Sequence, residues 1–117
     1  MEATLILAHG SREKQTETDF LHRVDQVRAR AGKDIETAFM EFSSRNISAG
    51  LSSLVANGAT RIRVIPYFLF SGVHIRKDIP EEIAAFLKDH PGLEIILEEV
   101  LGADARLVDI LADRVGQ

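Results

Sequence analysis

The order of apolar and polar positions along the chain predicts strands that alternate with helices. Short apolar runs predict four strands, at residues 4–8, 35–42, 62–69 and 93–97. After each run the apolar residues repeat every three or four positions, which is the pattern of one helical face. These helices are expected to begin near residues 13, 47, 78 and 104.

A strand–helix alternation of this kind predicts an α/β fold with a parallel sheet and right-handed crossovers. We expect a three-layer sandwich whose four-stranded parallel sheet has the order 2-1-3-4. Strand 2 is expected at an edge, because it mixes Glu36 and Glu41 with apolar residues. At 117 residues, the chain is expected to form a single α/β domain over residues 1–117.

The composition excludes several classes of function. With 45% hydrophobic and 27% charged residues the chain is typical of a globular protein. A net charge of −4 argues against nucleic-acid binding. There is no cysteine, which excludes disulfides and thiolate metal sites and fits a cytoplasmic protein. No apolar run is long enough to span a bilayer, so no membrane partner is expected.

Two histidines, His9 and His74, follow apolar strands and lie beside glycine and serine. Ligands of parallel sheets bind beyond the carboxyl ends of the strands, where the strand order reverses. In a 2-1-3-4 sheet, strands 1 and 3 are neighbours at that point. We therefore expect the two imidazoles to face one open site. The alternative is that each histidine is a hydrogen-bonded structural residue.

The residue types at these strand ends favour metal and proton chemistry. Neutral imidazole binds divalent first-row metals and accepts protons near neutral pH. Glu41 is a third ligand, a proton relay or simply a solvated carboxylate of an edge strand. Two histidines and one carboxylate leave coordination positions open, which suits transient holding or catalysis. Several cationic residues lie near these strand ends in the sequence. They either bind an anionic ligand or are ordinary solvated surface residues; they are Arg12, Arg45, Arg76 and Lys77.

Five segments of the chain carry a resemblance to a known family. They are residues 8–12 (AHGSR), 39–43 (FMEFS), 66–74 (PYFLFSGVH), 78–80 (DIP) and 102–104 (GAD). Together they resemble the class II tetrapyrrole chelatases, in particular the short, single-domain sirohydrochlorin cobaltochelatases and nickelochelatases. The resemblance implies a chelatase-like half-domain that inserts Co(II) or Ni(II) into sirohydrochlorin with release of two protons. This reaction belongs to cobalamin or nickel-tetrapyrrole biosynthesis.

The resemblance also implies roles for individual residues. His9 matches a metal ligand and proton acceptor, and His74 matches a second metal ligand. Relatives often carry an acidic residue and proline where this chain has Ser44-Arg45. The metal is a substrate, and no permanently bound cofactor is expected. The positions expected to contact sirohydrochlorin are Ser44, Arg45, Leu69, Phe70, Ser71, Gly72, Val73 and His74.

A domain of this size offers only one wall for a large flat ring, so we expect a homodimer that encloses it. Three alternatives stay open. The first is a metal or tetrapyrrole carrier without turnover. The second is a phosphohistidine-type phosphatase, which has an arginine where this chain has Ala8. The third is an inactive half of a larger chelatase, against which stands the complete set of four strand–helix units.

Overall fold

The computed structural model of the protein describes residues 1–32 and 34–116, without the side chain of His74. Over these residues the strands and helices alternate as predicted, and a short 3₁₀ turn at Leu101–Ala103 precedes the last helix. In chain order the elements are β1 (Glu2–Ala8), α1 (Lys14–Ala31), β2 (Ile35–Phe39), α2 (Ile47–Ala56), β3 (Arg61–Pro66), α3 (Val73–Lys88), β4 (Glu94–Leu97) and α4 (Arg106–Val115).

The four strands form one parallel sheet in the order β2-β1-β3-β4, which confirms the predicted topology. The last residue of β1, Ala8, pairs with Phe39, the last residue of β2. On the other side of β1, Leu7 pairs with Pro66, where β3 ends. The carboxyl ends of these three strands therefore meet at one edge of the sheet. The winding reverses between β1 and β3, which opens a crevice there.

Helices cover both faces of the sheet, because the central strand β1 is apolar on both sides. Leu5 and Leu7 point to the face covered by α2 and α3, whereas Ile6 and Ala8 point to α1. The larger core holds Ile47, Leu51 and Leu54 of α2 with Ile79, Ile83 and Phe86 of α3. The smaller core holds Phe20 and Val24 of α1 with Phe39.

Two predicted boundaries around β3 were wrong. β3 ends at Pro66 rather than at residue 69, because proline has no N–H to donate to the sheet. α3 begins at Val73 rather than at Asp78, with an extended Gly72 as its N-cap. Asp78 and Pro80 thus lie inside the helix, not in its first turn. The backbone of His74 consequently belongs to a helix and not to a loop.

β2 was also predicted too long, since it ends at Phe39 and not at residue 42. Its pairing with β1 nevertheless continues past the strand. Met40 N–H donates to Ala8 C=O and Glu41 N–H donates to His9 C=O, both at 3.0 Å. Glu41 is therefore held beside His9 by backbone hydrogen bonds even though it lies outside the regular strand.

The last helix, α4, forms as predicted, but its apolar face is not covered. None of its residues is buried, and Val108, Leu111 and Val115 are 66%, 64% and 84% exposed. The described chain measures 50 × 33 × 29 Å with a radius of gyration of 15.0 Å. A compact chain of this length would have a radius of roughly 13 Å. None of the described helices is long and apolar enough to cross a membrane.

The core beneath the sheet gives a first testable prediction. Leu51 of α2 is fully buried against the sheet, and truncation would leave a cavity there. We expect Leu51→Ala to lower the free energy of unfolding by about 2–5 kcal/mol, measured by urea denaturation. The neighbouring exposed Ser52→Ala should change it by less than about 0.5 kcal/mol. A small effect of Leu51→Ala would contradict the packing of α2 on the sheet.

Candidate functional site

His9 and Glu41 lie together at the carboxyl edge of the sheet. His9 directly follows β1, and its Nε2 is 3.6 Å from Glu41 Oε2. Both side chains are more than half exposed. The distance is longer than a hydrogen bond but within ion-pair range, so the imidazole stays open to other partners. A proton arriving on His9 would find a carboxylate beside it.

Gly10 allows this close approach of the two chain segments. Its φ is +97°, a conformation that L-residues with side chains rarely adopt. A β-carbon on Gly10 would also overlap the carbonyl oxygen of Glu41. Two features therefore require glycine at this position: the positive φ of the turn, and the lack of room for a side chain beside the Glu41 carbonyl. Gly10 places the imidazole next to the carboxylate.

Phe68 connects the ends of β1 and β3. Its ring meets the His9 imidazole edge-on, with 6.1 Å between the ring centroids and 80° between the planes. The apolar run at residues 62–69 predicts that Phe68 lies inside a strand, with no part in the site. The structure places it just beyond β3, where it supports one side of His9. No pattern in the sequence distinguishes it from the other apolar residues of that run.

A cavity of about 430 Å³ opens between His9 and helix α3. The pKa of Glu82 is raised, first by burial and then by the nearby Asp78 carboxylate. From the sequence, the acidic residues of α3 are assigned no part in the site. Their spacing on one helical face was the signal that could have identified them. The titratable groups that line the cavity are His9, Glu41, Asp78, Glu81 and Glu82.

The second predicted metal ligand, His74, is located only by its backbone. It lies in the first turn of α3, one turn before Asp78. Its side chain is outside the described residues, so the predicted convergence with His9 stays a prediction. Among the described side chains, no group of three His, Asp or Glu residues is arranged to hold a metal ion.

Large apolar side chains are exposed between β3 and α3. Leu69, Phe70 and Val73 are 61%, 85% and 68% exposed. Within the same stretch, Ser71 is half-buried and Gly72 caps α3. A cluster of exposed large apolar side chains is typical of a surface that binds a ligand or a partner.

The predicted residues after β2 are partly engaged elsewhere. Arg45 donates to Thr37 Oγ1 at 2.7 Å, and its guanidinium lies 6.0 Å from the centre of the Phe39 ring. Ser44 is exposed in the loop before α2. The structure therefore holds the Arg45 guanidinium against the edge strand β2.

The other predicted cations surround the edge of the site. The Arg12 guanidinium lies 4.9 Å from the centre of the Phe42 ring, so it is held next to the Glu41 turn. Arg76 and Lys77 are exposed near the beginning of α3. Positive charge thus lies at the edge of the site, outside the carboxylate-lined cavity.

The chain matches a known protein family over almost its full length. A family model described as CbiX matches residues 3–117, nearly the whole chain. The chain belongs to the CbiX family. The class II chelatase resemblance seen in the strand-end motifs is thereby confirmed.

Relatives of this chain include proteins of two lengths. It is 34% identical over 118 residues to the sirohydrochlorin ferrochelatase of Priestia megaterium, spanning all of this chain but 44% of that protein. It is 30% identical over 139 residues to the sirohydrochlorin cobaltochelatase of Methanocaldococcus jannaschii, spanning 97% of both. The chain therefore covers less than half of the first relative and nearly all of the second.

A solved structure agrees with these relationships. The sirohydrochlorin chelatase SirB from Bacillus subtilis subspecies spizizenii, in complex with cobalt, superimposes with a TM-score of 0.88 at 30% identity. The match spans 97% of this chain and 49% of SirB. This chain is thus a sirohydrochlorin chelatase-family domain that corresponds to half of the longer protein. Its relatives are named for iron as well as for cobalt.

The Gly10 turn gives the second prediction. Gly10→Ala should destabilise the protein by about 1–3 kcal/mol from backbone strain, plus the overlap with the Glu41 carbonyl. The matched control is Gly32→Ala, which also has a positive φ, +58°, but has open space around it. Urea denaturation should show the larger loss for Gly10→Ala. Equal losses would mean that the contact with Glu41 contributes nothing.

Proposed function

We propose that this protein inserts Co(II) or Ni(II) into sirohydrochlorin, with release of two protons. The observation that carries the proposal is the His9–Glu41 pair at the open carboxyl edge of β1 and β2. His9 follows β1, which borders the β1–β3 crevice where the sheet reverses its winding, in a chain of the sirohydrochlorin chelatase family. The metal ion is a substrate of this reaction.

His9 and Glu41 supply the proton chemistry. Metal insertion requires two pyrrole protons to leave the ring and the ion to lose water. The His9 imidazole accepts a proton from a pyrrole nitrogen, and Glu41, 3.6 Å away, stabilises the imidazolium that forms. Protonation strengthens the attraction between the two groups, so the pair is suited to take up charge during the reaction.

The carboxylate-lined cavity supports the arrival of the ion. Asp78, Glu81 and Glu82 bring negative charge to the wall opposite His9. Such a lining raises the local concentration of divalent cations and offers further acceptors for protons. His74, whose backbone lies one turn before Asp78, is proposed as the second metal ligand on the strength of the family resemblance.

The apolar rim supplies the surface for the macrocycle. Leu69, Phe70 and Val73 are exposed enough to pack on one face of a flat ring. The remaining proposed contacts are polar and suit the carboxylates of sirohydrochlorin. They are Ser44, Arg45, Ser71 and the backbone of Gly72.

Co(II) and Ni(II) are proposed as substrates because of the family resemblance, and not because the ligand residues select them. Nitrogen and oxygen donors follow one common affinity order for divalent first-row ions, so they do not select cobalt or nickel by themselves. Relatives are named for cobalt and for iron. Fe(II) is therefore included beside Co(II) and Ni(II) in the test below.

A spectrophotometric metallation assay tests the proposal. We expect the wild type to metallate many equivalents of sirohydrochlorin, which distinguishes an enzyme from a carrier. His9→Ala should lower the rate by roughly 100-fold or more, the usual contribution of a general base. His74→Ala should also lower the rate, because it removes the proposed second metal ligand. His22→Ala, on the exposed surface of α1, is the control and should keep the full rate.

Three results would contradict the proposal in different ways. A single turnover would favour the carrier. Full activity of His9→Ala would remove the proton acceptor from the mechanism. Turnover with Fe(II) alone would support the chelatase activity but contradict Co(II) or Ni(II) as its metal.

We also propose that the functional form is a homodimer that encloses the ring. The apolar face of α4 is exposed, and no residue of the described chain covers it. The longer relatives contain, besides the matched part, a further stretch at least as long as this chain. A second copy of the chain can supply an equivalent half, with its α4 packed across the two-fold axis.

Substitution on α4 tests the dimer. We expect light scattering to give about twice the chain mass of 13.0 kDa for the wild type. Leu111→Lys should give a monomer that remains folded, because α4 contributes no buried residue to its own chain. Asp109→Lys introduces the same side chain into α4 at an acidic position and should remain dimeric. A monomeric wild type would contradict the proposal.

A further inference from the structure

Gly102 packs directly on the segment that leaves β3. It lies in the 3₁₀ turn Leu101–Ala103, and its N–H donates to Phe68 C=O at 3.1 Å. A β-carbon on Gly102 would overlap the carbonyl group of Leu69 and lie 2.9 Å from the Leu69 Cα. The turn after β4 therefore rests against the backbone of Phe68 and Leu69, with no room for a side chain between them.

The segment that Gly102 contacts has few other backbone restraints. Tyr67 N–H makes the last bond to β1, at 2.7 Å from Leu7 C=O. Farther along, Gly72 C=O accepts from Arg76 N–H within α3. Among the described residues, the bond from Gly102 is the one backbone–backbone hydrogen bond that holds residues 68–71 between these points. The segment is therefore held by the turn after β4 together with the packing of the Phe68 side chain on the larger core.

Residues 68–71 carry groups that matter at the site. The Phe68 ring lies against the His9 imidazole, and the side chains of Leu69 and Phe70 belong to the exposed apolar rim. A shift of the Phe68–Leu69 backbone would move this rim. His9 and Glu41 would be moved less, because their own backbone hydrogen bond between β1 and β2 does not involve Gly102.

We propose that Gly102 is a positioning residue for tetrapyrrole binding. Because Gly102 has no side chain, the turn after β4 can pack directly on the Phe68–Leu69 backbone. This contact fixes the position of the apolar rim for tetrapyrrole binding. Gly102 acts through this segment and does not itself touch the substrate. The inference rests on the proposed chelatase function, because it names what shapes the binding surface of that same site.

The test compares Gly102→Ala with Gly92→Ala. Gly92 has a φ of +93° and open space around it, and it lies in the turn that precedes β4, at the other end of the strand from Gly102. The control therefore introduces backbone strain far from residues 68–71. In the metallation assay, Gly102→Ala should raise the KM for sirohydrochlorin about tenfold and lower kcat by less than about threefold. Gly92→Ala should leave both unchanged.

Amide spectra of the ¹⁵N-labelled proteins, recorded without tetrapyrrole, provide a readout that does not require activity. Gly102→Ala should shift the amide signals of residues 68–72, whereas Gly92→Ala should not. If the wild type has no chelatase activity, the proposed function fails. The spectra then still decide whether Gly102 positions this segment.

Two results would overturn the proposal. One is a folded Gly102→Ala protein with unchanged KM and unchanged signals for residues 68–72. The other is an equal rise in KM for Gly92→Ala, since strain alone would then explain the effect. If Gly102→Ala does not fold, Ala103→Gly loosens the same turn without adding an atom. It should raise KM about two- to threefold, and an unchanged KM would overturn the proposal.

Discussion

The pairing of β1 between β2 and β3 is the constraint on which the candidate site depends. Parallel pairing in this register brings the ends of the three strands to one edge of the sheet. His9, Glu41 and Phe68 are far apart in the sequence, yet each follows one of these ends. Backbone hydrogen bonds therefore determine which side chains meet. The His9 and Glu41 side chains are more than half exposed and hold each other only weakly, whereas Phe68 is half-buried against the core.

Two close backbone contacts position the segments that follow the paired strands. At Gly10 the turn after β1 approaches the Glu41 carbonyl, and at Gly102 the turn after β4 approaches the Leu69 carbonyl. In both places a methyl group would separate segments that carry residues of the proposed site. The geometry of the site thus rests on backbone segments in contact, which explains how an open cleft of exposed side chains can keep a defined shape.

Two exposed apolar surfaces of this domain lie where the proposal needs a partner. The rim after β3 and the outer face of α4 both expose large aliphatic or aromatic side chains. A flat macrocycle and a second copy of the chain would cover these two surfaces. The acidic cavity lies between His9 and helix α3, where the metal ion would enter.

The sequence by itself determined the strand–helix order, the edge position of β2 and the strand-end location of His9 and Glu41, because apolar periodicity is a local property of the chain. Only the tertiary structure decided that α3 begins at Val73, which placed Asp78 and its acidic neighbours along the cavity. It also decided that Phe68 supports His9 and that Gly102 contacts Leu69. These contacts join residues distant in sequence, and the helix start depends on packing that no local pattern encodes.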